Sequence, residues 1–117
     1  MSYTRDEQKE IILRSIGKRI QEYRQRIGLS QEQVAERAGI SQNHVSRLEQ
    51  GKHDPHFYTI LQVAKVLNIP LDGLVSDFSE ENINIFLQNI KDDVENMSQN
   101  QLDMLKDAIG IIKKYKF

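Results

Sequence analysis

Cysteine is absent from the 117 residues, which excludes disulfides, thiolate zinc sites, iron–sulfur clusters and a cysteine nucleophile. Charge of one sign is also lacking. Sixteen Lys and Arg face seventeen Asp and Glu, a net charge of −1, so binding of nucleic acid by a uniformly basic surface is excluded and only a local basic face remains possible. No apolar run approaches the roughly 20 residues that span a bilayer, and the opening MSYTRDEQKE has no apolar signal core. The expectation is a soluble, cytoplasmic protein with no membrane partner. Prolines number only two, Pro55 and Pro70, and both fall between candidate helices. Alternating apolar runs bounded by hairpin turns are missing as well, so no strand is expected.

What is present is enough apolar residue, 38% of the chain, to bury a core. The near-zero charge hides an asymmetry: eleven cations face nine acids up to Ser76, and five face eight beyond it. Helical punctuation is clear. Thr4 with Glu7 forms a capping-box pattern before a helix carrying Ile12, Ile16, Ile20, Tyr23 and Ile27, and Gly28 stops it. Ser30 with Gln33 opens a short second helix, closed by Gly39, and Ser41 caps a third over residues 42–50. A fourth helix holds Ile60, Leu61, Ala64 and Leu67, and Pro70 allows a short fifth through Leu74. Residues 76–79 read as a junction, and two more helices are expected near 80–96 and 99–115.

Between Leu29 and Lys52 two short helices are separated by a three-residue turn centred on Gly39-Ile40-Ser41. Ala35 and Ala38 permit a close crossing, while Val34, Ile40, Val45 and Leu48 supply a shared core. A tight helix–turn–helix of this kind presents its second helix to the major groove. At about 100° per residue, Asn43, Ser46, Arg47 and Gln50 fall away from the buried side marked by Val45 and Leu48, and Gln42 sits at the helix start. Asn and Gln can pair bidentately with adenine and Arg with guanine. Gln31, at the start of the second helix, offers an amide and free backbone N–H groups to a phosphate. Glu49 lies at the edge of the buried face, where a lone carboxylate is costly.

The marks Arg24, Leu29-Ser30-Gln31, Val34-Ala35, Ala38-Gly39, Ser41-Gln42, Val45-Ser46, Leu48-Glu49, Gly51, Pro55, Leu61, Ala64, Leu67 and Leu74 together resemble the Cro/phage-repressor-type helix–turn–helix family, also called the xenobiotic-response-element family. The resemblance covers residues 17–75, about half the chain. It implies an all-α fold: a five-helix, lambda-repressor-like DNA-binding domain over residues 1–76, here with a two-helix C-terminal hairpin over 77–117. It also implies a transcriptional regulator that reads bases through Gln42, Asn43, Ser46 and Arg47. Ser30, Gln31, Gln50, Lys52 and His56 would touch the DNA backbone, and Glu49 would pair with Arg24 as architecture.

The first helix begins about a dozen residues earlier than this family core requires, leaving Ile11, Ile12 and Leu13 to pack on the C-terminal helices or on a second chain. In the tail, Ile83, Phe86, Leu87 and Ile90 form one apolar stripe, and Leu102, Leu105, Ile109 and Ile112 form another. Two such helices bury too little to fold alone. They can fold back on the N-terminal domain or form a homodimer. The dimer is preferred, because a repressor reading the paired half-sites of an inverted repeat gains avidity from it.

No catalytic constellation is present. His53 and His56 flank Pro55 without a third ligand, so no metal is assigned, and no phosphate-cradling glycine loop or other cofactor site is visible. The expectation is therefore no enzyme, with double-stranded DNA and a second copy as partners. The rival reading is an antitoxin or adaptor on the same fold, whose partner is a toxin or anti-repressor protein.

Overall fold

A computed structural model describes residues 4–52 and 55–101. Six helices follow in order: α1 (Arg5–Ile27), α2 (Gln31–Ala38), α3 (Gln42–Glu49), α4 (Phe57–Val66), α5 (Leu71–Val75) and α6 (Glu80–Val94). The all-α fold holds, with no strand among the described residues. Each boundary has a local cause. Thr4 Oγ1 accepts the Glu7 N–H at 3.2 Å, Ser30 and Gln33 complete a reciprocal capping box, and Ser41 and Ser79 cap α3 and α6. Gly39 ends α2 at φ 73°, a left-handed conformation that costs glycine little. Asn68 takes the corresponding left-handed position after α4 at φ 55°, a turn the sequence reading did not identify. There the Ile69 N–H reaches back to Ala64 O at 2.8 Å.

The core runs through all six helices. Ile12, Ile16 and Ile20 on one face of α1 share a single buried cluster with Val34, Val45 and Leu48 of α2 and α3 and with Phe57, Ile60, Val63 and Leu67 of the α4 segment. Between α1 and α3 the approach is unusually close. A Cβ on Gly17 would lie 2.4 Å from Leu48 O and 2.6 Å from Glu49 O, both backbone atoms. Glycine in a helix interior costs about 1 kcal/mol relative to alanine, and here that cost lets the end of α3 seat against α1. The sequence reading passed over Gly17 because a helical glycine carries no sign of what crosses it.

The tail departs from expectation. The sequence reading preferred to place Ile83, Phe86, Leu87 and Ile90 against a second chain, but α6 folds back on α1 and α4 of its own chain. Phe86 and Leu87 are buried, and Ile90 is 1% exposed. Phe86 meets Phe57 and Phe78 edge-on, with ring centroids 6.1 and 5.9 Å apart. Only Ile83 of the four stays half-buried. The physical reason is that Ile12 and Ile16 on the early turns of α1 and Phe57 and Ile60 on α4 line one apolar surface together with Phe86 and Ile90, and α6 covers it. Covering each such side chain is worth about 1.5–3 kcal/mol. Polar groups fix the docking: Asp93 Oδ2 accepts the Phe57 N–H at 2.7 Å, Gln8 Nε2 donates to Glu81 Oε1 at 2.7 Å, and Arg19 pairs with Asp77. Of the patch at the start of α1, Ile12 is buried, Leu13 half-buried and Ile11 38% exposed. Leu102, Leu105, Ile109 and Ile112, most of the expected second tail helix, and His53 lie outside the described residues. Ser98 does cap a turn with Gln101, in both directions, at 3.3 and 3.0 Å.

Candidate nucleic-acid interface

The α2–α3 unit has an apolar, closely packed interior and hydrogen-bonded ends. Val34 and Val45 are fully buried, and Leu48 is 1% exposed. The turn is closed by the Ile40 N–H donating to Ala35 O at 3.0 Å, and Gln62 Nε2 of α4 donates to Ala38 O at 3.2 Å. An orphan carbonyl at the end of α2 is thereby satisfied by a different helix. On this frame the outward side of α3 carries Gln42, Asn43 and Arg47, all exposed. Among the described residues their side chains make no hydrogen bond or ion pair with the rest of the chain. Ser46 is half-buried, and its Oγ accepts from Gln50 Nε2 at 3.3 Å, one turn along.

The expected backbone-contact residues are less uniform. Lys52 and Gln50 are exposed just past the end of α3. Ser30 is exposed, but its hydroxyl is engaged in the capping box, where it accepts from Gln33 and keeps its own O–H to give. His56 is 88% exposed at its side chain, with Nδ1 3.6 Å from Asp93 Oδ1 on α6. Gln31 is half-buried, and its Nε2 donates to Glu49 Oε1 at 3.1 Å.

Arg24 and Glu49 are brought together across α1 and α3. Arg24 Nε lies 2.6 Å from Glu49 Oε2 and Nη2 lies 3.0 Å from Oε1, a bidentate fork, while Nη1 donates to Leu29 O at 2.9 Å. Glu49 is 8% exposed, and no other charged or polar residue among those described is buried. The hydrogen bond to Glu49 raises the Arg24 pKa above its already high ordinary value, burial opposes this, and the charge attraction to Glu49 adds to it. A raised folded-state pKa gives a contribution that is complete below the unfolded-state pKa and is lost only as pH climbs past both values. The arginine's contribution is therefore complete throughout the neutral range and is lost only in strong alkali.

Behind the interface, α1, α4 and α6 enclose a half-open cavity of about 240 Å³, floored by Ile12, Phe57 and Phe86 and rimmed by Lys9, His56 and Asp93. Among the described residues no group of three His, Cys, Asp or Glu is placed to hold a metal ion, and no helix is long and apolar enough to cross a membrane. Asp93 was missed as a structural residue. Nothing local in the sequence reveals that its carboxylate accepts the first N–H of a helix 36 positions away.

Comparison with known proteins agrees with this geometry. The helix-turn-helix family matches residues 20–74. The chain is 28% identical over 110 residues to the HTH-type transcriptional regulator ImmR of Bacillus subtilis (strain 168), covering 86% of this chain and 87% of that protein. It is 32% identical over 63 residues to an uncharacterized HTH-type transcriptional regulator of Archaeoglobus fulgidus, covering 54% of this chain and 90% of that one. The immunity repressor protein of Bacillus phage phi105 is 27% identical over 95 residues, covering 79% of this chain and 66% of the phage protein. No solved structure matches.

Proposed function

The chain belongs to the helix-turn-helix family of DNA-binding transcriptional regulators and is not an enzyme, and from that premise we propose that it is a repressor that binds an inverted-repeat operator as a dimer. Two copies of α3 enter successive major grooves about 34 Å apart. Gln42, Asn43, Ser46 and Arg47 meet base edges, while Ser30, Gln31, Gln50, Lys52 and His56 hold the phosphates on either side. The observation that carries this reading is the uncommitted outer face of α3: three polar side chains suited to base edges, on a helix whose inner face is fully packed.

Repression is supported by the phi105 relative, an immunity repressor by name. Dimerisation is the mode in which helix–turn–helix readers generally engage paired half-sites. Since α6 is largely spent on the chain's own core, the dimer contact is assigned to the apolar sequence pattern Leu102, Leu105, Ile109 and Ile112 together with the half-buried Ile83. The protein acts in the cytoplasm, where its operator lies.

Selection of bound duplexes from a random pool, with the mass of the complex measured by light scattering, tests the proposal. The expected result is an inverted repeat with half-sites about 10 bp apart centre to centre, two chains per duplex, and binding that weakens steeply with salt. A single unpaired site with one chain per duplex contradicts the dimer. Failure to enrich any duplex favours an adaptor whose partner is another protein, such as a toxin.

A further inference from the structure

Gln31 stands at the first position of α2, where a phosphate contact is assigned, yet its amide does not simply hang in solvent. Nε2 donates to Glu49 Oε1 at 3.1 Å, and the same carboxylate grips Arg24 through both of its oxygens. Arg24 closes the circuit by donating to Leu29 O, two residues before Gln31. The start of α2 is thus tied to α1 and to the last turn of α3 by bonds that converge on one carboxylate.

A carboxylate accepts hydrogen bonds and cannot give them. An amide beside it must therefore turn its nitrogen inward, because the flipped amide would set oxygen against oxygen. The nitrogen carries two hydrogens: Glu49 takes one, and the second remains for an outside acceptor. A phosphate is such an acceptor, and it repels the amide oxygen that the flipped orientation would offer.

We infer that Glu49 is a positioning residue for DNA: through its bond to Gln31 it fixes the donor end of that amide for a backbone phosphate, in addition to pairing with Arg24. The inference rests on the reading of Gln31 as a backbone clamp given above. It makes the internal ion pair part of the binding apparatus without any contact between the pair and DNA.

The test is a double-mutant cycle, read by fluorescence anisotropy on a duplex that the wild-type chain selects from a random pool. Gln31→Ala removes the donor and should weaken binding about tenfold, as loss of a hydrogen bond to a charged group does. Glu49→Ala alone leaves Arg24 unpaired and can unfold the chain. The anchor is therefore removed as Arg24→Met/Glu49→Leu, which leaves no buried charge behind. That variant, checked for native circular dichroism, should weaken binding several-fold when Gln31 is present and by about twofold or less once Gln31→Ala has been made. Equal losses in both backgrounds, or a Gln31→Ala chain that binds like wild type, would overturn the positioning role. A wild-type chain that enriches no duplex would remove the proposed function and this inference with it. A second readout needs no variant. In the DNA-free protein the Gln31 side-chain amide hydrogens should exchange more slowly with solvent than those of the exposed Gln42, and equal exchange would also overturn the assignment.

Discussion

On α3 the outward side chains of Gln42, Asn43 and Arg47 make no bond to the rest of the described chain, whereas on α6 two polar side chains, Glu81 and Asp93, are committed to other helices. Asp93 closes the first turn of α4, and Glu81 holds Gln8 of α1. Both helices look amphipathic in sequence, with an apolar stripe and a polar remainder, yet they do different work. The outward polar side chains of α3 stay unbonded on a packed helix, and part of the polar face of α6 is used to hold the frame. A polar residue that the fold leaves unbonded is the plainer recognition candidate, whereas one already bonded, as Gln31 is, needs a spare donor to serve as one. Asp93 is claimed and Arg47 is not.

Substitutions on α6 and its neighbours should therefore cost stability, and those on the outer face of α3 should cost binding alone. The largest effect is expected for Phe86→Ala, which opens a cavity between Phe57 and Phe78 and should remove about 4 kcal/mol in urea unfolding. A loss below about 1 kcal/mol would mean that α6 is not part of the core. Gly17→Ala should follow at about 3 kcal/mol despite alanine's better helix propensity, because its Cβ meets backbone carbonyls of α3 that cannot rotate aside. If this variant were as stable as wild type, α1 and α3 would not approach as described.

Arg47→Ala should weaken binding to a selected duplex by about 1–3 kcal/mol and relax base preference at one position, while stability stays within about 0.5 kcal/mol of wild type. A fall in melting temperature matching the loss of binding would place Arg47 with the frame and erase the contrast. The smallest effect is expected for Asp93→Ala, about 1 kcal/mol for the lost cap on α4, visible as a lower thermal midpoint. An unchanged midpoint would show that α4 does not depend on α6 for its start.

How far each region could be foreseen follows from the range of the forces that build it. The α2–α3 unit is specified by neighbours in sequence: Ser30 with Gln33, Gly39, Ser41, and the spacing of Val34, Val45 and Leu48. Its outward residues follow from the helical repeat alone. The Arg24–Glu49 pairing was proposed from family resemblance, and the structure brings the two side chains together in a bidentate fork. What sequence could not convey is which surface covers which. The stripe of α6 fits a partner chain as well as it fits α1 and α4, since periodicity says only that a face is apolar. Choosing between those partners needs the complementary surface of Ile12, Ile16, Phe57 and Ile60, which exists only once the chain has folded. Gly17, Asp93 and the bond from Gln31 to Glu49 were hidden for the same reason, as each takes its meaning from a helix distant in sequence.

Whether the free outer face of α3 reads DNA on a frame that includes α6 is decided by one comparison. The wild-type chain and the Gln42→Ala/Arg47→Ala double variant are titrated against a duplex selected by the wild type, with both melting curves recorded. The variant should melt as the wild type does and lose about a hundredfold or more in affinity for that duplex, while weak salt-sensitive binding to unrelated DNA persists. Wild-type affinity in a variant lacking both side chains would contradict that reading.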